Sequence, residues 1–320
     1  MDDEYSRFVY VFTDLILPLV VGYVLHRLHL LHGDLVNRMI KVNVIVFFTL
    51  LSLLSFWVMP LEFDLIWVPV FGFMYVLWPG LIGYLFFARH YRSYLNKGAF
   101  LVSAMLSNIG TLCGVCAFIL YREQGFAYTQ IIGTCQNILL VSVCFPLAEY
   151  CRKKSAGETA PPGESNFRQM LKLLFSPNQI SLVGMAAGLC LNISEVARPE
   201  ILGDAFPCLV HIAAWIALLP VGYLIDFHRA GFYYNKIGEL LFLRFIVVPV
   251  SAFFFGRLVF TDAALFNTML ICALAPEAIN ATLTARLYKL NVDYTVAAFI
   301  VTTALFLLLI FPLAWFFIKY

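Results

Sequence analysis

The chain has 320 residues, 62% hydrophobic and only 12% charged, with a mean hydropathy of +0.87. A soluble domain carries about 25% charge and about 45–50% apolar residues, so this composition excludes one and indicates an integral membrane protein. The net charge of +2 selects no partner, and no basic face for nucleic acid is evident. The opening MDDEYSR is acidic, unlike the basic start of a cleavable leader, so the first apolar segment is expected to be retained.

Runs of about 20 mainly apolar residues mark membrane spans. They fall at 8–26, 37–58, 65–88, 98–120, 127–150, 177–193, 205–225, 236–258, 264–286 and 295–318, which predicts an all-α polytopic protein of ten transmembrane helices. In span 1, Asp14 lies toward the outer surface and is expected to be wet. In span 2, Ser52 either meets a ligand or packs on a neighbouring helix. In span 4, Cys113 and Cys116 form a C-x-x-C, but inside an apolar helix they read as small packing residues. Spans 6 and 7 are short, and Pro207 and Pro220 fall in this region. His211 stands alone in span 7 and reads as a satisfied buried histidine. Glu239 and Arg244 lie near one end of span 8, where pairing or snorkelling is expected.

Between spans 5 and 6, CRKKSAGETAPPGESNFRQ (151–169) is rich in Pro, Gly and charge, so 151–176 is expected to be an exposed cytoplasmic linker. Fifteen Lys and Arg flank one side of the predicted spans and five the other. The rich side is expected to be cytoplasmic, with both termini outside.

One signature occurs twice. LYREQGFAYTQIIGTCQNILLVSVCFPLA (120–148) and LYKLNVDYTVAAFIVTTALFLLLIFPLA (287–314) share Leu-Tyr-basic, Tyr-Thr and Phe-Pro-Leu-Ala. Tyr128 to Phe145 and Tyr294 to Phe311 both span 17 residues. Such a duplication divides the chain into halves, 1–150 and 177–320. Five spans per half is an odd number, so the second half enters the membrane in the opposite sense. The expected architecture is two inverted five-helix repeats, which expose a midplane site to either side in turn.

Just before each copy, an apolar span is interrupted. Span 4 carries Ser107, Asn108, Gly110, Thr111 and Gly114; span 9 carries Pro276, Glu277, Asn280 and Thr282. Aligning Leu120 with Leu287 sets Asn108–Gly110 against Ala275–Glu277. A break is tolerated in hydrocarbon only where it lines a cavity or packs on protein. Half-helix N-termini there present N–H groups and a positive dipole end, suited to a carboxylate. The matched breaks are thus a candidate binding site, the alternative being two kinked packing helices. Gln136 and Asn137 on span 5 stand where span 10 has Thr302 and Thr303. Adjacent amides either hold an anion or bond a neighbouring helix. Glu277 is an ionisable group at mid-membrane, a functional hypothesis by default. It either binds and releases a proton, coordinates a cation with Asn280, or is a structural partner of a nearby donor. The candidate substrate-binding residues are therefore Asn108, Gly110, Thr111, Gln136, Asn137, Pro276, Asn280 and Ser52. Glu277 is the candidate for coupling to H+ or Na+. No catalytic triad, nucleotide loop or metal spacing occurs, so neither an enzyme nor a bound cofactor is expected.

These motifs carry a resemblance. SNIGTLCG in span 4, PEAINATLTARLYKL in span 9, LFSPNQISLVGMAAGL (174–189) and IALLPVGYLI (216–225) resemble, in order, the auxin efflux carrier family over nearly the whole chain. That family includes plant auxin exporters and bacterial carriers of malonate and related acids. The resemblance implies a scaffold of spans 1, 2, 6 and 7 (8–58 and 177–225) that also forms a homodimer interface. It implies a transport unit of spans 3–5 and 8–10 (65–150 and 236–318), crossed by broken spans 4 and 9 and moving as an elevator. It carries the polar residue of the first break onto Asn108, the amide pair onto Gln136 and Asn137, and the proline of the second break onto Pro276. The chain departs from the family in four places, one being Glu277 after the proline of the second break, less usual there and a candidate source of coupling that the plant exporters lack. Its first break has Ile109, Gly110 and Thr111 but no proline, span 3 lacks the buried Asp–Lys pair of the plant exporters, and the central loop is short. The expected function is secondary transport of a small organic anion, a carboxylate or auxin-like acid. The alternatives are a sodium-coupled symporter of the bile-acid type and a non-transporting ligand sensor with the same fold.

Overall fold

The structure is a computed structural model that describes residues 9–157, 180–224 and 231–318. Most of the expected linker, the start of span 6, and Arg7, Arg168, Lys172, Arg229 and Lys319 of the charge asymmetry lie outside the described residues. The described start of the linker continues a helix, Phe145–Ser155, rather than being exposed coil from residue 151.

The described residues are helical, with no strand beyond one isolated bridge. Among the described residues, six helical runs are long and apolar enough to cross a membrane: Gly33–Val58, Phe63–His90, Ile109–Ser155 (two helices meeting at a kink at Tyr121 and Arg122), Glu200–Tyr223, Gly238–Val259 and Val292–Phe317. Ser181–Ile193 and Ala263–Ala273 are shorter apolar helices. Glu200–Tyr223 corrects the expectation of a short span 7, since it runs 24 residues through both Pro207 and Pro220. Its first turn contains Glu200 and lies near Asp204, which made it look like loop. Acidic side chains are favourable there, because the N-terminal N–H groups are unpaired and positive.

The doubled signature builds the same local structure in each copy. Leu-Tyr-basic is a helix stop: Arg122 and Lys289 adopt left-handed φ values of 52° and 54°. Tyr-Thr opens the next helix. Thr129 Oγ1 donates to Phe126 O (2.7 Å) and Thr295 Oγ1 to Val292 O (2.9 Å), while Tyr128 and Tyr294 are buried. Phe-Pro follows a widened π-helical turn in both copies, Leu140–Cys144 and Phe306–Ile310. The cause is the proline, whose ring crowds the carbonyl four residues back and which has no N–H to close a normal turn. Widened turns at Val11–Ile16 and Leu243–Val247 likewise end two residues before Pro18 and Pro249.

The helices form two compact units. The first comprises 1–63, 110–130 and 175–225; the second comprises 64–109, 131–174 and 226–320. In the first unit, helix pairs meet through glycine. Gly184 and Gly188 lie against the backbone of Thr49 and Leu53, and Gly22 and Gly222 against Leu219 and Leu19. A Cβ at any of the four would overlap a carbonyl oxygen. Lipid offers no hydrophobic drive for association, so this close approach supplies the van der Waals contact that holds such pairs together. Leu51, Leu54, Phe118, Phe126, Phe206 and Val210 form the core of this unit. Arg198 pairs with Glu123 and also donates to Leu54 O, and Asn192 Nδ2 donates to Phe56 O and Met59 O, closing the end of helix Phe48–Val58.

In the second unit, helix starts are capped by side chains: Ser93 Oγ accepts from Leu95 N–H, Asp262 Oδ2 from Leu265 N–H and Asn291 Oδ1 from Tyr294 N–H. Each satisfies a donor that the first helical turn leaves unpaired.

Candidate functional site

Two helices in the second unit stop and restart. Tyr94–Met105 gives way to extended chain at Leu106–Asn108, and Ala263–Ala273 to Leu274–Ala278 before Ile279–Leu287. The two breaks pair with each other. Asn108 N–H donates to Pro276 O (2.9 Å) and Ala278 N–H to Leu106 O (3.1 Å), an antiparallel bridge centred on Ser107 and Glu277. Pro276 itself has no N–H to leave unpaired, which suits it to a buried break.

The N–H of each bridge residue is taken by a side chain of a neighbouring helix. Ser107 N–H donates to Gln136 Oε1 (2.9 Å) and Glu277 N–H to Thr302 Oγ1 (3.0 Å). Gln136 and Thr302 occupy the same place in the doubled signature, eight residues after Tyr128 and Tyr294. Gln136 Nε2 also donates to Ser107 O (2.8 Å). Its carboxamide is therefore committed to the backbone at both ends, the helix-bonding alternative of the two weighed above.

Arg244 corrects the sequence reading. It neither snorkels nor pairs with Glu239; it is 3% exposed and its guanidinium sits at the breaks. Nε donates to Ser103 O (3.1 Å), Nη1 to Ala275 O (3.2 Å) and Ser107 Oγ (2.9 Å), and Nη2 to Leu106 O and Ser107 Oγ. The carbonyl ends of two half-helices thus converge on one cation. This is the favourable place for it, because those ends carry unpaired carbonyls and partial negative charge. Tyr75 OH donates to the same Ser107 Oγ (2.6 Å). Glu239 pairs instead with His90 (2.6 Å).

Glu277 is fully buried and electrostatically coupled to Arg244. Ser103 Oγ donates to its Oε1 at 2.8 Å, while Oε2 has no hydrogen-bond partner among the described residues. Thr303 Oγ1 and Thr282 Oγ1 are buried in the same condition. Asn280 lies in the first turn of Ile279–Leu287, where its carbonyl accepts from Thr284. Asn137 is half-buried beside Gln136.

The structure therefore brings Asn108, Gln136, Pro276 and Glu277 together around the breaks. Ser52, Gly110 and Thr111 belong to the first unit. Ser52 is buried on Phe48–Val58 next to Ser55, whose hydroxyl donates to its carbonyl (3.3 Å). Gly110 and Thr111 line a pocket with Phe48, Leu51, Val210 and Ala214 whose free volume is about 10 Å³, room for a single water at most. Asp14 is not wet but 3% exposed, and His211 is not alone: its Nδ1 lies 2.5 Å from Asp14 Oδ2. Apart in sequence, each looked unpartnered; a carboxylate this buried needs a donor. Cys113 and Cys116 are buried thiols. Ser103, Arg244 and Thr302 escaped the sequence reading as site residues. The available signals were Arg244, an ionisable group inside a predicted span, and Thr302, which the doubled signature sets at the place of Gln136.

Apolar helices, two buried breaks that satisfy each other, and a buried guanidinium and a buried carboxyl at the junction define the class: a helical membrane transporter. The sequence matches the membrane transport protein family over residues 11–313, and the chain belongs to that family, the one of the auxin efflux carriers. No curated protein matches the chain.

Proposed function

We propose that the chain is a secondary transporter of a small organic anion, a carboxylate or auxin-like acid, working by alternating access between two inverted five-helix repeats. The observation that carries this reading is the paired break. Two half-helices end at Arg244 with their negative poles neutralised, and the following half-helices begin at Ile109 and Ile279 with positive poles. A carboxylate placed near those starts faces the positive poles of two helix dipoles without facing an uncompensated negative end. Asn108, Asn137 and Asn280 are the side chains proposed to read it, with Pro276 shaping the break. Glu277 is the proposed coupling group. Gln136 holds the break and acts on substrate through Ser107 rather than by touching it. The transport helices 65–150 and 236–318 move as an elevator, and a homodimer forms through helices 8–58 and 177–225.

Purified protein in liposomes is expected to move labelled malonate or indole-3-acetate, and Asn108→Ala to abolish that movement at an unchanged melting temperature. Full transport by the Asn108→Ala protein removes Asn108 from the site.

A further inference from the structure

The second unit holds a cavity of about 400 Å³, lined among others by His90, Tyr91, Arg92, Lys236, Glu239 and Tyr294. Its charged and hydroxyl-bearing wall suits water. From it a row of proton-carrying groups runs inward. His90 is exposed, and its Nδ1 lies 2.6 Å from Glu239 Oε1. Glu239 Oε2 is buried without a hydrogen-bond partner among the described residues, and the carboxylate is in electrostatic reach of Tyr91. The hydroxyls of Tyr91 and Tyr294 are 3.1 Å apart. Tyr294, almost fully buried, is in electrostatic reach of both Glu239 and Glu277. At the inner end, Glu277 Oε2 is the buried oxygen left without a partner.

The two copies of the signature differ here. Tyr128, the counterpart of Tyr294, accepts a hydrogen bond from Gln124 Nε2 (2.6 Å), whereas Tyr294 meets the Tyr91 hydroxyl (3.1 Å) and is in electrostatic reach of two carboxylates. The other groups facing this row are cations and phenols. Arg244 faces Glu277, Lys236 lies 5.5 Å from the Tyr233 ring centre, Tyr233 packs edge-on against Tyr294, and Arg92 lines the cavity. The Tyr233 hydroxyl is taken by Asn291 Nδ2 (2.7 Å), and none of these groups is a further carboxylate, so Glu239 and Glu277 define the ends of the row.

We propose that Tyr91 and Tyr294 form a proton relay joining the cavity at His90 and Glu239 to Glu277, so that the coupling carboxylate loads and unloads from this side of the membrane. The proposal rests on the reading of Glu277 as the coupling group. Glu239 gives its proton to the Tyr91 oxygen, Tyr91 gives its own to Tyr294, and Tyr294 gives its own toward Glu277 Oε2, the two lying in electrostatic reach. Each phenol loses one proton and gains one, so neither is left charged. Glu239 ends ionised, Glu277 ends neutral, and water at the cavity restores Glu239 through His90. Only O–H bonds break and form, and no electrons are transferred.

The test follows the Glu277 carboxyl band by infrared spectroscopy on reconstituted protein after a pH jump. The band is identified as the one that disappears in Glu277→Gln. Tyr294→Phe and, at the outer end of the row, Tyr91→Phe are expected to slow its response at least about tenfold while leaving its midpoint pH in place. Tyr128→Phe, the matched control, is expected to respond at the wild-type rate. Wild-type rates in both Tyr294→Phe and Tyr91→Phe, or a moved midpoint at unchanged rate, overturn the relay and leave the coupling reading standing. If no pH-dependent band is lost in Glu277→Gln, Glu277 exchanges no proton, and the coupling reading falls together with the relay.

Discussion

Arg244 is the residue on which the candidate site turns. Its guanidinium answers carbonyls from two half-helices and the Ser107 hydroxyl in one planar group. Removing it leaves buried carbonyls without their donor, at about 1–3 kcal/mol for each group so left. Arg244→Ala is therefore expected to lower the melting temperature of the detergent-solubilised protein sharply. Arg244→Lys keeps the charge but not the fork, so it should fall between the two, because an ammonium cannot reach all these acceptors at once. A lysine variant as stable as wild type would mean that charge alone matters.

Tyr91, outside the membrane spans, is set by burial. Loss of solvation pushes its phenol from an ordinary 10.0 up to about 12, opposed by the hydrogen bond with Tyr294 and aided by the charge of Glu239. A raised folded value means that its contribution to stability is complete below pH 10 and is lost as pH rises toward 12. Unfolding followed across that window is expected to show wild type losing stability more steeply than Tyr91→Phe. Parallel curves would place the tyrosine in open water.

Among the elements, glycine decides how closely helices meet and proline decides where they widen. Gly188 lies against the backbone of Leu53, so Gly188→Leu must push helix Ser181–Ile193 off helix Phe48–Val58. The expected cost is about 1–3 kcal/mol, read as lost thermal stability. A Cβ at Gly133 meets nothing within 4 Å, so Gly133→Ala is expected to be neutral or to add up to about 1 kcal/mol through helix propensity. These two substitutions separate close packing from propensity, since both place a side chain on a helical glycine.

For the whole molecule, the charge asymmetry makes a prediction about orientation. Lys154 and Glu195 are both exposed, and they belong to opposite sides of the predicted topology. In a background lacking the exposed Cys190 and Cys208, a membrane-impermeant maleimide on intact cells is expected to label Glu195→Cys and to spare Lys154→Cys until the membrane is opened. The reverse pattern would invert the topology.

Much of this was legible before any coordinates. Composition, helix starts and stops, and the positions of both breaks can be read from Ser107–Gly110 and Pro276–Glu277. The doubled signature was legible as a duplication but not as three local devices. A left-handed stop at Arg122 and Lys289, a threonine that bonds back to its own turn, and a widened turn before proline each require dihedral angles to see. Gln136 was read as free to bind substrate because a sequence lists its donors and acceptors without showing that both are spent on Ser107.

The sequence by itself determined that this chain is helical and apolar, where its helices break, and to which family it belongs. Hydropathy, proline and glycine act over a few residues, so their consequences are written locally. Only the tertiary structure decided which charge answers which: Arg244 with the broken helix ends, His211 with Asp14, His90 with Glu239. Those choices depend on distances between segments far apart in the chain. A buried charge takes whatever partner the packing brings within reach, because the hydrocarbon around it offers no other.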